Sequence, residues 1–150
     1  MSLPKPSSST QVLVTGASSG IGAEIARLLA ERGHNLAIVA RRRNRLEDLA
    51  SELQDRHKIA VTVFECDLGD AASRTEFIDA VATDGRALSG VANCAGFGTA
   101  GKFLELDVDR ELNQLDVNVG ALMHLTHAVA PGMVQRKGGA ILNIASLAAF

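Results

Sequence analysis

The chain has 150 residues, of which 47% are hydrophobic and 21% charged, a composition typical of one soluble domain with a substantial core. Its formal net charge of −2 argues against nucleic acid or an anionic membrane as the main partner. Cys66 and Cys94 are too few for a disulfide scaffold, and no apolar run is long enough to span a membrane, so we expect a cytoplasmic protein.

The first ten residues, MSLPKPSSST, differ in composition from the rest of the chain. They have no apolar core, so they do not resemble a signal peptide, and their Pro, Ser and Thr content predicts a disordered lead. Residues 1–10 are therefore expected to be a lead, and residues 11–150 to form a single domain.

Short apolar runs alternate with helical patterns from residue 11 onward. Strands are predicted at 12–14, 36–40 and 59–64, and equivalent positions in them (12, 36 and 60) lie 24 residues apart. Two more strands are predicted at about 88–93 and 140–144. Helical spacing is found at 21–33, around 46–53 and 77–81, and in one long helix from about 107 to the 131–139 region.

Strands that are apolar on both faces belong to a parallel sheet covered by helices on each side. The alternation therefore predicts an α/β fold, a Rossmann-type doubly wound parallel sheet in three α/β/α layers.

The first predicted strand leads directly into TGASSGIG, residues 15–22. The spacing is not G-x-G-x-x-G, but Gly16 allows a tight turn, Gly20 a close approach of pyrophosphate, and Gly22 close packing of the helix on the sheet. The helix N-terminus behind the loop favours phosphate, although a purely structural turn is the alternative. A P-loop is excluded because no Lys follows the glycines. The predicted contacts with a dinucleotide are Gly16, Ser18, Ser19, Gly20, Ile21 and Gly22.

The second strand ends in the basic run VARRR, with Arg45 following. Dinucleotide folds that use NAD usually have an acidic residue here, whereas clustered guanidinium groups at the start of a helix require an anion. We expect the 2′-phosphate of NADP to be held by Arg41, with Arg42 as a second candidate. A solvated basic helix face is the alternative, and it fits Arg43 and Arg45 well.

The carboxyl ends of the later strands supply further candidates, because ligands bind at that edge of such sheets. Asp67, next to Leu68, could accept a hydrogen bond from an adenine amino group, or could instead be an N-cap. The run NCAG, residues 93–96, lacks bulk at Ala95 and Gly96, as a loop against a ribose or nicotinamide must. His124 and His127 are not joined by a Cys or carboxylate cluster, so no metal site is expected.

These motifs, in order, resemble those of the classical short-chain dehydrogenase/reductase family, with the Arg pair similar to its NADP-preferring branch. TGASSGIG resembles the family's TGxxxGxG, and NCAG, which begins at Asn93, its NNAG. Asp67 falls on the family's adenine-contacting Asp, Asn118 in LDVNVGAL on its catalytic Asn, and Ser146 in ILNIAS on its catalytic Ser.

The resemblance implies hydride transfer between NADP(H) and the carbon of a small-molecule carbonyl or alcohol. Ser146 would polarise the substrate oxygen and Asn118 would hold a water that resupplies the proton. It also implies cofactor contacts at Asp67, Leu68, Asn93, Ala95 and Gly96, and a homodimer or homotetramer.

One element of the family pattern is missing from the sequence. The family's proton donor is a Tyr in a Tyr-x-x-x-Lys segment that follows the Ser, and the chain contains no Tyr. We therefore expect the N-terminal portion of a longer reductase, inactive as these 150 residues alone. A non-catalytic NADP-binding sensor or regulatory module is the alternative; Asn118 and Ser146 argue against it, because a binder needs neither.

Overall fold

The computed structural model describes residues 3–146 and contains one parallel sheet. Its strands lie in the order β3-β2-β1-β4-β5, so that the chain moves outward from β1 first in one direction and then in the other. This arrangement confirms the predicted doubly wound α/β fold. The strands are β1 Thr10–Thr15, β2 Asn35–Ala40, β3 Val61–Glu65, β4 Ala87–Asn93 and β5 Ala140–Asn143.

Helices connect each strand to the next. They are α1 Gly20–Glu31, α2 Arg43–His57, α3 Ala71–Thr83, a 3₁₀ turn Phe103–Glu105, α4 Val108–Leu115 and α5 Leu122–Gln135. Asp70 caps α3 by accepting from the Ser73 N–H at 2.7 Å, and Asp107 caps α4. No helix within residues 3–146 is both long and apolar enough to cross a membrane.

The core has two layers, one on each face of the sheet. Val12 and Val14 of β1 point toward the layer formed with α1 and α2, whereas Leu13 points toward the layer formed with α3 and α5. All three side chains are at most 2% exposed. A fully buried aliphatic side chain contributes about 1.5 to 3 kcal/mol, so this central strand, covered on both faces, anchors the domain.

The predicted long helix runs continuously from Val108 to Gln135 and contains a local irregularity. A π-helical turn, Asp116–Ala121, lies between α4 and α5, and Asn118 lies inside it. The apolar spacing is compatible with α-helical and π-helical turns alike, so the sequence did not distinguish them.

The segment expected to be a disordered lead has defined contacts in its described part. Thr10 already belongs to β1, and the Ser7 carbonyl accepts a hydrogen bond from Asn35 Nδ2 at 3.0 Å. Leu3 packs over Gly90, where an added Cβ would lie 2.7 Å from its Cδ1. The composition did not reveal these contacts, because they use one apolar side chain, that of Leu3, and a backbone carbonyl, that of Ser7.

Candidate functional site

A cleft of about 380 Å³ opens at the carboxyl ends of β1, β2, β3 and β4. Every residue predicted to contact a dinucleotide lines it, with the exception of Asn93. The lining residues are Gly16, Ser18, Ser19, Gly20, Ile21, Gly22, Ala40, Arg41, Arg42, Cys66, Asp67, Leu68, Cys94, Ala95, Gly96, Phe97 and Val117. The cleft therefore lies at the position where doubly wound sheets bind ligands, beside the strand from which the chain reverses direction.

The glycines of the loop after β1 have different surroundings. Gly20 has a φ of +57°, and an added Cβ would meet nothing within 4 Å, so its backbone borders open space. At Gly22 a Cβ would lie 2.6 Å from the Gly16 carbonyl oxygen, which is closer than a side chain can approach. Gly22 therefore allows the loop to fold tightly on α1, while Gly20 leaves the cleft side of the loop open to a ligand.

Thr15 joins the first and fourth strands at the base of the cleft, a role that was not apparent from the sequence. Its side chain is 1% exposed, and its Oγ1 accepts hydrogen bonds from the backbone N–H groups of Cys94 and Ala95, both at 2.9 Å. A threonine at the end of a strand does not by itself predict these contacts. They arise because β1 pairs with β4, which brings residues 94 and 95 beside Thr15.

The two candidate arginines differ in their contacts. Arg42 reaches over the phosphate loop, where its Nη2 donates to Ser18 Oγ at 2.9 Å and to Ser19 Oγ at 2.6 Å. Arg41 lies 3.9 Å from an Asp67 carboxylate oxygen, and both side chains are well exposed, so this pair contributes little stability. Arg43 instead pairs with Glu47 along α2.

The loop after β3 forms the side of the cleft. Asp67 Oδ1 accepts from the Gly69 N–H at 3.0 Å, while Asp70 is the N-cap of α3, so the alternative interpretation of Asp67 as the N-cap was wrong. Arg74, only 8% exposed, donates from Nη1 to the Leu68 carbonyl at 2.6 Å and fixes this loop from behind.

Asn93 does not line the cleft. It is buried and donates from Nδ2 to Asn143 Oδ1 at 2.8 Å, so it joins the ends of β4 and β5. Its own Oδ1 is buried and has no hydrogen-bond partner among the described residues. The sequence predicted that Asn93 contacts the cofactor. In the structure its side chain instead contacts Asn143 of the neighbouring strand.

Asn118 is held by the loop that follows β4. Its Nδ2 donates to the Phe97 carbonyl at 2.8 Å, and its Oδ1 accepts from the Phe97 N–H at 3.1 Å. Gly96 makes room for it, since an added Cβ there would lie 3.0 Å from the Asn118 Oδ1. This reciprocal pair connects the π-helical turn to the wall of the cleft, and no motif in the sequence indicates Phe97 as the partner.

Ser146 lies beyond the end of β5, on the same edge of the sheet as the cleft, and it is exposed. It takes part in an interaction within the chain, and it is not among the residues that line the cleft. Ser146 and Asn118 are therefore outside the lining of the cleft, whereas every predicted cofactor contact except Asn93 is part of it.

The two thiols in the cleft wall are poorly suited to act as nucleophiles. Burial raises the pKa of Cys94 to about 11, and burial also raises the pKa of Cys66, which contacts Ser73 Oγ at 3.4 Å. Both therefore remain protonated at neutral pH. Within residues 3–146 no group of three His, Cys, Asp or Glu side chains could hold a metal ion.

The sequence family, the sequence relatives and the solved structures that this chain resembles are described as short-chain dehydrogenases or as oxidoreductases. Residues 10–150 match the sequence model of the short chain dehydrogenase family. The chain is 33% identical over 138 residues to an uncharacterized oxidoreductase of Staphylococcus saprophyticus, covering 92% of this chain and 59% of that protein.

Two solved structures with bound cofactor superpose well on the chain. A short-chain dehydrogenase from Sphingobium yanoikuyae in complex with NADPH has a TM-score of 0.86 at 39% identity, covering 92% of this chain and 54% of that one. L-sorbose reductase from Gluconobacter frateurii, complexed with NADPH and L-sorbose, has a TM-score of 0.90 at 28% identity, covering 99% and 56%. The chain thus spans little more than half the length of these proteins.

Proposed function

The chain belongs to the short chain dehydrogenase family of oxidoreductases, and from this premise we propose that its cleft binds NADP(H). As the complete protein, it would transfer hydride between the nicotinamide and the carbon of a small-molecule carbonyl or alcohol. The observation that carries the proposal is the gathering, in one cleft, of a glycine loop at a helix N-terminus and two arginines.

The chain's own groups fit a dinucleotide phosphate in this cleft. The Gly20 backbone borders open space at the N-terminus of α1, where free N–H groups and the helix dipole favour an anion. No carboxylate stands at the end of β2, where an NAD-binding protein would place one for the ribose hydroxyl. Among residues 3–146, the Arg42 guanidinium hydrogen-bonds to the uncharged hydroxyls of Ser18 and Ser19 and not to a carboxylate.

The positive charge of Arg42 is the basis for preferring NADP to NAD. A guanidinium can exchange hydroxyl partners for a phosphate at small cost, and a hydrogen bond between charged groups is worth about twice a neutral one. Arg41 would be the second ligand, because it lines the cleft and its contact with Asp67 at 3.9 Å is long.

When bound, NADPH would supply a hydride to the carbonyl carbon of the substrate, and the substrate oxygen would then need a proton. We propose that the Ser146 hydroxyl donates a hydrogen bond to this oxygen and polarises the carbonyl group. Asn118 has one N–H and one lone pair remaining after its two bonds to Phe97, which is sufficient to hold one water. The chain contains no Tyr, and we propose that in the complete protein a residue outside these 150 donates this proton.

The cofactor assignment can be tested by titrating NADPH and NADH into the chain and following nicotinamide fluorescence. Arg42→Gln should weaken NADPH binding by about tenfold or more and leave NADH binding nearly unchanged, because only NADPH carries the extra phosphate. Arg43→Gln is the matched control, since Arg43 pairs with Glu47 on the helix surface. Equal affinities for the two cofactors in the unmodified chain would contradict the proposal.

The catalytic assignment requires the protein expressed from its complete gene. NADPH oxidation should be measured with a panel of ketones and aldehydes, comparing the native sequence with Ser146→Ala. We expect the substitution to lower kcat by two orders of magnitude or more, a typical cost of removing an oxyanion donor, with NADPH affinity preserved. Tight NADPH binding without turnover of any carbonyl compound would instead favour a non-catalytic sensor or regulatory module.

A homo-oligomer is the assembly that we propose. Leu112, Leu115, Val119 and Met123, spread along α4, the π-helical turn and α5, are between 55% and 67% exposed. An exposed apolar stripe of this kind is a candidate subunit interface. Light scattering after size-exclusion chromatography should give a dimer or tetramer that Leu115→Glu dissociates; a monomeric native chain would contradict this.

A further inference from the structure

A second cavity lies at the opposite edge of the sheet from the cofactor cleft. It occupies about 460 Å³ between the last turns of α3 and α5 and the beginning of β4. We call it the basal cavity; its lining residues are Ile78, Val81, Ala82, Gly85, Arg86, Ala87, Leu88, Ala128, Val129, Gly132 and Arg136. No lining residue is shared with the cofactor cleft, and none is an Asp or Glu.

Two arginines are the only charged residues among those that line the basal cavity. Arg136 donates from Nη2 to the Leu88 carbonyl at 2.8 Å, and its Nη1 would lie 3.1 Å from a Cβ added to Gly132, so the guanidinium folds back over the helix. Arg86 has a buried Nε with no hydrogen-bond partner in the described part of the chain.

Neither guanidinium group in the basal cavity is paired with a carboxylate. Across residues 3–146, neither Arg86 nor Arg136 lies within 4.0 Å of an Asp or Glu oxygen, whereas Arg27, Arg41 and Arg43 do. The nearby Asp84 is already engaged, because its Oδ2 accepts from Gln11 Nε2 at 3.0 Å and Thr62 Oγ1 at 3.1 Å.

The chemistry of the walls indicates the kind of ligand. Ile78, Val81 and Val129 offer an apolar surface, and the two guanidinium groups offer paired N–H donors of the geometry that suits a carboxylate. The C-terminal ends of α3 and α5 partly neutralise the positive charge, which disfavours a phosphate dianion more than a monoanion. The volume falls in the range of small-molecule sites.

We propose that the basal cavity is a binding site for a monocarboxylate with an apolar tail. The carboxylate pairs with the guanidinium groups of Arg86 and Arg136, and the tail lies against the apolar wall. Because the two sites share no residue, the carboxylate and the dinucleotide bind at the same time.

Octanoate is a suitable probe, titrated into the chain by isothermal calorimetry in the presence and absence of NADPH. We expect saturable binding of one octanoate, with Arg86→Gln and Arg136→Gln each weakening it by about tenfold, as for loss of a charged hydrogen-bonded pair. Arg56→Gln is the matched control, because Arg56 is an exposed arginine near the C-terminal end of α2, as Arg136 is at that of α5, and it does not line the basal cavity. Octyltrimethylammonium, with the same tail and the opposite charge, should not bind.

Three results would overturn the proposal: non-saturable binding, equal binding of the ammonium probe, or displacement of octanoate by NADPH. If a substitution prevents folding, amide chemical-shift changes in the unmodified chain decide the question. They should be largest around Val81, Val129 and Gly132; changes confined to the glycine loop at residues 16–22 would assign octanoate to the cofactor cleft instead.

Discussion

Replacing Thr15 by Val should reveal how strongly the base of the cleft depends on one hydroxyl group. The Thr15 Oγ1 accepts two backbone N–H groups, those of Cys94 and Ala95, and both would lose their acceptor. A buried donor left without a partner costs about 1 to 3 kcal/mol. Since residues 94 and 95 are half-buried, the lower end applies to each, and the expected loss is about 2 kcal/mol.

Thr15→Ser is the matched comparison, because it keeps the hydroxyl and removes one buried methyl group, which costs about 1 kcal/mol. Urea unfolding followed by far-UV circular dichroism measures both variants, with equal slopes indicating that only stability has changed. The Val variant should also bind NADPH more weakly than the Ser variant, since Ala95 lines the cleft. A Val variant as stable as the Ser variant would refute the importance of these two hydrogen bonds.

Two further outcomes test the packing and ionisation around the cleft. Gly22→Ala should lower stability by about 1 to 3 kcal/mol, because its Cβ would lie 2.6 Å from the fixed Gly16 carbonyl; thermal unfolding measures this. Gly98→Ala, with nothing within 4 Å of its Cβ, is the control and should have little effect. The Cys94 thiol, with its pKa near 11, should react with iodoacetamide far more slowly at pH 8 in the folded than in the unfolded chain, and faster as the pH rises toward 11. Equal rates in the two states at pH 8 would contradict this.

The sequence predicted the elements that arise from local pattern. Apolar runs of strand length and helices of regular spacing are visible along the chain, and TGASSGIG is a contiguous segment whose glycines have local roles. The doubly wound parallel arrangement of the strands followed from general rules for sheets that alternate with helices. For these reasons the fold and the composition of the cleft walls were predictable.

Contacts between distant segments were not predictable to the same degree. The chain position of Arg42 next to Arg41 does not tell which of the two reaches Ser18, because that depends on rotamers at the start of α2. Asn has a low propensity for helix interiors, and the sequence did not indicate what would hold Asn118 there. In the structure its side chain bonds to the backbone of Phe97. Asn93 matched a motif, yet its partner Asn143 is 50 residues away in the chain.

The cleft is built from the ends of four strands, and this gives it a thermodynamic property that no single segment possesses. Residues 16, 41, 67 and 95 meet only when β1 to β4 are paired in their final order. A ligand of the cleft therefore binds the folded chain and not the unfolded one, and at one hundred times its dissociation constant it would add about 2.7 kcal/mol to the free energy of unfolding. The concentration of the ligand would then set the equilibrium stability of the fold as well as the occupancy of the site.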